Sequence, residues 1–191
     1  ENGVHYYDAS RRDKDQLFAF KQDPELGSAL PDAVCAVIIV KEAGQKDKLL
    51  LFYEYRYPAG SYLLGLPAGL IDPADLASPD PIKTAMIREI KEETGLSIGE
   101  KDTVEVINPL VFTASGFSDE SNAIVKAVIH VDDLSALNHK GAEGTEVFGD
   151  FKLVDKEEAR RLLKEGRDDY GHYLPLVAWA ALCYFVSDLW K

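Results

Sequence analysis

The alternation of apolar and polar positions predicts the order of strands and helices along this chain. Residues 33–40 are apolar at every position and rich in β-branched side chains, a pattern typical of a strand buried on both faces. Further strands are predicted at 48–56, 62–66, 104–112, 122–131 and 147–154, and helices at 81–94, 155–166 and 174–191. The order strand, strand, strand, helix, strand, strand, strand, helix, helix indicates an α/β (α+β) protein.

The helix predicted at 81–94 changes character along its inward face. Its first turns present apolar side chains between Ile82 and Met86, and the 3.6-residue turn places Glu89, Glu92 and Glu93 on the same side. Like charges at this spacing repel, and the C-terminal end of a helix disfavours anions. A divalent cation with oxygen ligands would compensate the three charges, whereas the alternative is a solvated acidic face.

Turn and capping residues frame this helix. Asp80 is a favoured N-cap, Pro81 is favoured at the first helical position, and Gly95 is expected at the C-terminal cap. The preceding run 65–72, GLPAGLID, is rich in turn residues and can bring backbone carbonyls close to a ligand. The carboxylate stripe therefore follows a turn that can contribute main-chain ligands.

Residues 88–96, REIKEETGL, resemble the signature of a known family, the Nudix hydrolases. That signature is Gly, five residues, Glu, seven residues, then Arg-Glu-aliphatic-x-Glu-Glu-x-Gly-aliphatic, and 88–96 match every specified position. The first half departs, because Asp80 stands where the family has Glu and ten residues separate it from Gly69, so residues 72–79 look like an insertion. The resemblance implies a Nudix-type α/β/α sandwich with a mixed sheet flanked by helices. Since the family's Glu at this position usually supports the site, activity is expected to survive.

The resemblance also implies a metal site and part of the catalytic machinery. It implies two or three Mg²⁺ ions as cofactors, with Mn²⁺ as a substitute. The implied metal ligands are the carbonyl of Ala68 and the side chains of Glu89, Glu92, Glu93 and Glu120. The implied catalytic residues are Glu120, Glu92 and Arg88. Arg88 is expected to orient the carboxylates or to steady the inserted loop by pairing with Asp80; the alternative is an ordinary surface ion pair.

An arginine among aromatic residues ends the strand predicted at 48–56, in the run YEYRYP at 53–58. Arg56 can hold a phosphate there with two hydrogen bonds, or it can stack on tyrosine at the surface. ADP-ribose hydrolases of the family are similar in carrying Tyr-x-Arg or Gln-x-Arg ahead of Pro-Ala-Gly, and their Arg helps to bind substrate. They often have Glu at the position of Gly65, so this chain must supply that role differently. The substrate-binding residues implied are Arg56, Tyr57, Gly69, Gly116 and Phe117.

The loop 113–121, TASGFSDES, reads by itself as a solvated turn. It resembles a Ser-Pro-Gly-Phe-x-Asp-Glu loop of ADP-ribose pyrophosphatases, whose Glu serves as general base or as a further metal ligand. The resemblance gives this role to Glu120, with Asp119 as an alternative. Glu143 and Glu146 are further alternatives, because some family members take their base from a later polar loop.

Composition and charge bound the class of protein and its partners. The 191 residues are 46% hydrophobic and carry a formal net charge of −12, with a sequence pI of about 4.7. Such a surface argues against nucleic acid and anionic membrane as partners, and a polyanionic substrate needs bound cations. Cys35 and Cys183 lie in apolar segments where reduced thiols are expected, and the apolar run 174–186 is too short to span a bilayer. The expected location is cytoplasmic.

The resemblance implies that the chain divides into an N-terminal segment, 1–32, and a Nudix hydrolase domain, 33–191. Residues 4–7 can form a short strand. In related sugar-nucleotide hydrolases this region often contacts the partner subunit, so the resemblance implies a homodimer with the segment as a possible contact.

The function that the resemblance implies is Mg²⁺-dependent hydrolysis of the pyrophosphate bond of a nucleoside diphosphate sugar. ADP-ribose, cleaved to AMP and ribose 5-phosphate, is the expected substrate. The alternatives are a Nudix hydrolase of another nucleotide sugar or dinucleotide, a non-catalytic ADP-ribose sensor of the same fold, and an isomerase acting on isoprenoid diphosphates.

Overall fold

The computed structural model of this protein, which describes residues 3, 5, 7–141 and 146–191, contains one seven-stranded mixed sheet. Its strands are β1 (Ala33–Glu42), β2 (Lys48–Arg56), β3 (Ser61–Gly65), β4 (Ala68–Leu70), β5 (Thr103–Phe112), β6 (Ser121–Val131) and β7 (Phe148–Val154). The main path runs β3-β2-β1-β6-β5, with β4 added to β1 and β7 added to β2.

Four α-helices and four short 3₁₀ turns complete the described structure. The α-helices are α1 (Asp23–Leu26), α2 (Pro81–Thr94), α3 (Lys156–Glu165) and α4 (Leu176–Val186). The 3₁₀ turns cover Lys14–Gln16, Phe18–Phe20, Tyr57–Ala59 and Asp75–Ala77.

The central strand β1 divides the interior into two cores. It pairs antiparallel with β2 and β4 and parallel with β6. Because side chains alternate along a strand, Val34 and Ala36 pack toward α2, whereas Val37 and Ile39 pack toward α3 and α4. The expectation that this segment is buried on both faces is confirmed, and so is the α/β/α sandwich.

The ends of α2 follow the predicted capping chemistry. The Asp80 carboxylate accepts a hydrogen bond from the Lys83 N–H at 3.1 Å, and Pro81 opens the helix. Gly95 closes it in the left-handed conformation, with φ of 74°. A Cβ at Gly95 would lie 2.2 Å from Asn138 Nδ2, so the residue is needed for space as well as for conformation.

Most predicted elements are confirmed, with shifts of one residue at several strand ends. The last helix is shorter than predicted at both ends: Pro175 is extended and precedes the helix as its N-cap, and the helix ends at Val186. Trp190, predicted inside that helix, lies beyond it and stacks on Phe185. The short strand β4 was predicted as a turn, and its pairing with β1 is what fixes Ala68 and Gly69.

The described part of the N-terminal segment lies along the loop 113–121. Ala9 forms a parallel bridge with Ser118, and its N–H donates to the Phe117 carbonyl at 2.9 Å. Of the strand expected at 4–7, residues 4 and 6 lie outside the described residues, and the described residues 5 and 7 have no strand structure.

Arg12 fastens this segment to the domain. Its side chain is largely buried and pairs with Asp32 at 2.8 Å and with Asp119 at 3.4 Å. Its guanidinium also lies 3.7 Å from the centre of the Phe18 ring. Phe18 in turn packs edge-to-face on Phe112 of β5. The segment is thus attached to the domain by buried charge pairs as well as by apolar contact.

Both cysteines are free thiols, as expected, and burial raises the pKa of Cys35 to about 12. None of the helices formed by residues 3, 5, 7–141 and 146–191 has the length and apolar character that a membrane span requires.

Candidate active site

The carboxylates of α2 differ sharply in exposure. Glu89 and Glu93 are 6% and 3% exposed, whereas Glu92 is partly open to solvent. Glu93 Oε2 accepts a hydrogen bond from the backbone N–H of Ala68 at 2.8 Å. The helix therefore buries two acidic side chains next to the first residues of β4.

Gly69 leaves the space that Glu89 occupies. A Cβ added at Gly69 would lie 1.9 Å from Oε1 of Glu89 and 2.1 Å from its carboxyl carbon. No side chain fits at this position while Glu89 keeps its place. The Gly69 predicted in substrate binding thus has a clear first role, which is to admit a carboxylate to the backbone of β4.

Arg88 joins the helix to the inserted loop. One terminal nitrogen, Nη1, contacts Glu89 at 2.7 Å and Glu92 at 3.0 Å. The other, Nη2, donates to the Leu70 carbonyl and to the buried Asp75, each at 3.0 Å. Arg88 therefore orients two carboxylates and steadies the loop at the same time.

The prediction that Arg88 pairs with Asp80 is wrong. Asp80 is engaged as the helix cap, and the loop residues that contact Arg88 are Asp75 and, at 3.4 Å, Asp72. Burial favours the neutral form of Asp75, but its hydrogen bonds from Arg88 and from the Asp72 N–H outweigh burial and lower its pKa.

Burial dominates the protonation of the two inner carboxylates. It raises the pKa of Glu93 to about 9, against the opposing hydrogen bond from Ala68. It raises the pKa of Glu89 to about 7, against the opposing charge of Arg88. The negative charge of Glu146 adds to both shifts. Ionising these groups inside the protein is therefore costly unless positive charge comes close.

Glu54 is a fourth member of this carboxylate cluster, and sequence reasoning missed it. It lies on β2 on the same face as Phe52, because side chains alternate along the strand. Burial raises the pKa of Glu54, opposed by Arg56 and reinforced by Glu146. Its charge also raises the pKa of Glu93. The one sequence feature that could have indicated a role for Glu54 is that it is an acidic residue in a largely apolar strand.

Arg56 and Tyr57 stand at the end of β2. Arg56 Nη2 pairs with Glu54 at 2.8 Å while about half of its side chain remains exposed. Tyr57 is 62% exposed and packs edge-to-face on Tyr55. The structure therefore brings Arg56 to the carboxylate cluster through Glu54, and Tyr57 lies on the adjoining surface.

The loop 113–121 meets the N-terminal segment. Glu120 forms an ion pair with Arg11 at 3.5 Å, and the exposed Phe117 accepts the Ala9 N–H through its carbonyl. Gly116 lies beside Phe117 in the same loop, and a Cβ there would meet open space. These contacts define a surface where β5 ends and β6 begins.

Asp119 is used in holding the N-terminal segment. Burial opposes its ionisation, but hydrogen bonds from Ser10 and from the Phe18 N–H, together with the charge of Arg12, lower the pKa of Asp119. Of the remaining base candidates, Glu146 acts electrostatically on Glu89, Glu93 and Glu54. Glu143 lies outside the described residues.

Comparison with known proteins bears on this arrangement. A profile of the NUDIX domain matches residues 29–177, which is most of the chain. The chain belongs to the Nudix family. The matched range contains the run 88–96 and the cluster built around it, so we refer to 88–96 as the Nudix box.

Several curated relatives are similar to this chain over part of their length. Putative nudix hydrolase 2 of Caenorhabditis elegans is 38% identical over 104 residues, covering 54% of this chain and 42% of the relative. The ADP-sugar pyrophosphatase of Mus musculus is 31% identical over 127 residues, covering 66% and 54%. The ADP-ribose pyrophosphatase of Mycobacterium tuberculosis is 42% identical over 115 residues, covering 60% and 50%. The chain spans about half the length of the curated relatives it matches.

A solved structure agrees on the fold. The crystal structure of a C. elegans Ap4A hydrolase binary complex superposes with a TM-score of 0.51 at 21% identity, covering 82% of this chain and 97% of that one. At this identity the likeness concerns the fold alone.

The Nudix box offers the donor chemistry of a hard divalent cation. Its oxygen donors are carboxylates, the kind that Mg²⁺ prefers. Within the described part of the chain, Glu89 has Arg88 as its basic partner, whereas Glu93 accepts the Ala68 N–H. Among the residues with described positions, no three His, Cys, Asp or Glu side chains converge closely enough to hold one ion. The chemical nature of these side chains therefore suits a divalent cation. In the present arrangement, Arg88 pairs with two of the carboxylates, Glu89 and Glu92.

Replacing the buried ionisable Glu93 by a neutral amide should stabilise the metal-free protein. Because the pKa of Glu93 is about 9 in the folded chain and ordinary when unfolded, the native state holds the extra proton between about pH 4.5 and 9, and stability falls as pH rises through that window. In EDTA, Glu93→Gln should raise Tm by about 3 °C or more at pH 8.5 and by less at pH 5. Thermal denaturation followed by circular dichroism measures the difference.

The matched control is the exposed Glu100→Gln, whose Tm should follow that of the wild type at both pH values. A Glu93→Gln protein that is less stable than the wild type at pH 8.5 would contradict the assigned cost of burial.

Proposed function

We propose that this protein hydrolyses the pyrophosphate bond of a nucleoside diphosphate sugar, with ADP-ribose as substrate. Water attacks one phosphorus, the bridging P–O bond breaks, and AMP and ribose 5-phosphate leave as two phosphate monoesters. The observation that carries the proposal is the pair of buried carboxylates, Glu89 and Glu93, against the backbone of Ala68 and Gly69. An arrangement so unfavourable without a cation is typical of a site built for metal-dependent phosphate chemistry.

We assign the cofactor as two or three Mg²⁺ ions, replaceable by Mn²⁺. Ala68 through its carbonyl and the side chains of Glu89, Glu92 and Glu93 would hold them, with Glu120 as a further candidate ligand. When bound, these ions supply positive charge that neutralises the diphosphate and activates water. Arg88 keeps Glu89 and Glu92 in place and so acts on the reaction through them.

We assign the general base to Glu146 in preference to Glu120. Glu146 is near enough for its negative charge to raise the pKa of both Glu89 and Glu93. Glu120 is engaged with Arg11 of the N-terminal segment. A base at Glu146 would accept the proton of the attacking water, which is the usual task of a carboxylate beside a hydrolytic site.

The substrate contacts are assigned to two surfaces. Arg56 would exchange its pairing with Glu54 for a phosphate oxygen, since a guanidinium can bind phosphate with two hydrogen bonds. Tyr57 adjoins Arg56, and Gly116 and Phe117 would meet the part of the substrate that reaches the loop 113–121.

The choice of substrate rests on the relatives. Two of them bear the names ADP-sugar pyrophosphatase and ADP-ribose pyrophosphatase. A sensor that binds ADP-ribose without cleaving it is the second candidate, and the complete Nudix box argues against it. A homodimer and a cytoplasmic location are part of the proposal, and analytical ultracentrifugation tests the first of them.

Product analysis tests the proposed function. The protein is incubated with Mg²⁺ and ADP-ribose, ADP-glucose, GDP-mannose, NADH, Ap4A or a nucleoside triphosphate, and products are separated by ion-exchange chromatography. We expect AMP and ribose 5-phosphate from ADP-ribose, and no products when EDTA is present. Faster cleavage of another compound would replace the substrate and keep the reaction class, whereas no cleavage with a Tm raised by ADP-ribose would favour the sensor.

Exchanging single carboxylates separates the two base candidates. Glu146→Gln should lower kcat by about 10²–10⁴-fold with little change in the Kd for ADP-ribose, because it removes only proton transfer. Glu120→Gln is the matched control and should lose less than about 10-fold. Steady-state kinetics and calorimetric binding measure both, and the reverse ranking would return the role to Glu120.

Gly69 tests the geometry of the box without altering a charge. In Gly69→Ala the new methyl group would displace the flexible end of Glu89, so kcat should fall by about 10-fold or more while the fold survives. Gly27→Ala, where a new Cβ would make only ordinary van der Waals contacts at 3.6 Å, serves as the control for a Gly-to-Ala change. Normal Mg²⁺-dependent turnover in Gly69→Ala would show that Glu89 does not need its present position.

A further inference from the structure

Glu146 follows a stretch of chain that is tied to the end of the Nudix box. The N–H of Asn138 donates to the Thr94 carbonyl at 3.0 Å, and the N–H of Gly141 donates to the Glu92 carbonyl at 3.2 Å. The approach is close, since a Cβ at Gly141 would lie 2.6 Å from Glu92 Cα. Residues 138–141 are therefore held against the C-terminal turn of α2.

The chain after Glu146 is tied to the sheet. The N–H of Tyr55 donates to the Val147 carbonyl at 2.9 Å, and Phe148 pairs with Glu54 across β2 and β7. Glu146 thus lies between one attachment to the helix and another to the strand that carries Glu54.

His139 touches both attachments at once. Its Nδ1 contacts the main-chain carbonyl of Glu93 at 2.5 Å. Its ring stacks on Phe151 at 3.9 Å and on Phe148 at 4.8 Å, at interplanar angles of 15° and 23°, and packs edge-to-face on Phe52. One side chain therefore joins the end of the Nudix box to the first residue of β7.

The hydrogen bond to the Glu93 carbonyl determines which ring nitrogen of His139 carries a proton. A carbonyl oxygen only accepts, so Nδ1 must be the donor. Nε2 is buried and has no hydrogen-bond partner among the described residues, so the ring makes a single polar contact, to Glu93. Packing alone would be served as well by phenylalanine, which fits between aromatic rings at no polar cost.

We propose that His139 is a positioning residue that sets Glu146 against the carboxylates of the Nudix box. It does so by joining the helix end to the start of β7, the two attachments that flank Glu146 in sequence. Its kinetic part rests on the proposed function, whereas its structural part does not.

Two substitutions separate the hydrogen bond from the stacking. His139→Phe keeps a planar ring and loses the donor, whereas His139→Asn keeps a donor near the position of Nδ1 and loses the ring. The control is His130→Phe, which removes an imidazole bonded to Asp102 away from the box. Tm values establish that each variant is folded.

Amide hydrogen exchange measured by NMR tests the attachment without any assay of activity. In His139→Phe the amides of Asn138, Gly141 and Tyr55 should exchange about 10-fold faster or more, while the Ala36 amide, bonded to Pro67, should be unchanged. His139→Asn should recover protection at Asn138 and Gly141. Unchanged exchange in His139→Phe would overturn the proposal.

Kinetics test whether the attachment acts through Glu146. We expect kcat of His139→Phe to fall about 10-fold with KM within about 3-fold of wild type, and His139→Asn to regain part of the loss. Glu146→Gln should cost at least about 10-fold less in the His139→Phe background than alone, because the base is already misplaced. Full additivity, or normal kcat with faster exchange, would overturn the role.

Failure of the proposed function is distinguishable from failure of this inference. If the wild type cleaves none of the nucleotides in the panel, the proposed function falls, and the exchange rates alone decide whether His139 holds the two attachments. If the wild type is active and His139→Phe matches it in both exchange and kcat, only the inference falls.

Discussion

The structure depends above all on burying two carboxylates, Glu89 and Glu93, against the main chain of β4. Desolvating a carboxylate is among the most expensive steps in folding, and the chain offsets it only in part. The Ala68 N–H contacts one of them and Arg88 the other. Position 69 requires glycine, because the Glu89 carboxylate occupies the volume that a side chain would need there.

The same constraint explains how the chain tolerates its departures from the family signature. Asp80 stands where the family has Glu, and as a helix cap it is at least as suitable, because Asp is a favoured N-cap. The inserted residues 72–79 do not reach the carboxylates directly. They present Asp75 and Asp72 to Arg88, so the insertion adds acceptors for the guanidinium that also pairs with Glu89 and Glu92. Gly65 is a further departure, since related ADP-ribose hydrolases often have Glu at this position. In this chain Glu54 brings a carboxylate to the same face of the sheet from the neighbouring strand.

Features encoded by near neighbours in sequence could be predicted, and features made by distant contacts could not. The apolar run of β1, the caps Asp80 and Gly95 and the carboxylate stripe follow from periods of 2 and 3.6 residues. Glu54 escaped notice, because its importance comes from its effect on Glu93, which belongs to a helix distant in sequence. His139 was only one residue of a polar loop, since its stacking partners belong to strands that sequence alone does not bring together. Arg12 likewise reads as one charge in a charged segment until Asp32 and Asp119 meet it.

The energetic cost of the carboxylate cluster also links stability to whatever binds there. A cation that contacts the native carboxylates and not the unfolded chain stabilises the fold by mass action, in proportion to the logarithm of its concentration over its Kd. The side chains that raise each other's pKa in the free protein are the ones that would gain most from a shared positive charge. Arg88 and His139 hold this cluster together from outside it, one through the inserted loop and the other through the aromatic contacts of β7. Neither neutralises Glu93, because Arg88 pairs with its neighbours and His139 reaches only its main-chain carbonyl. Among the residues whose positions are described, no basic side chain therefore pairs with Glu93, and a divalent ion bound there would stabilise its ionised form.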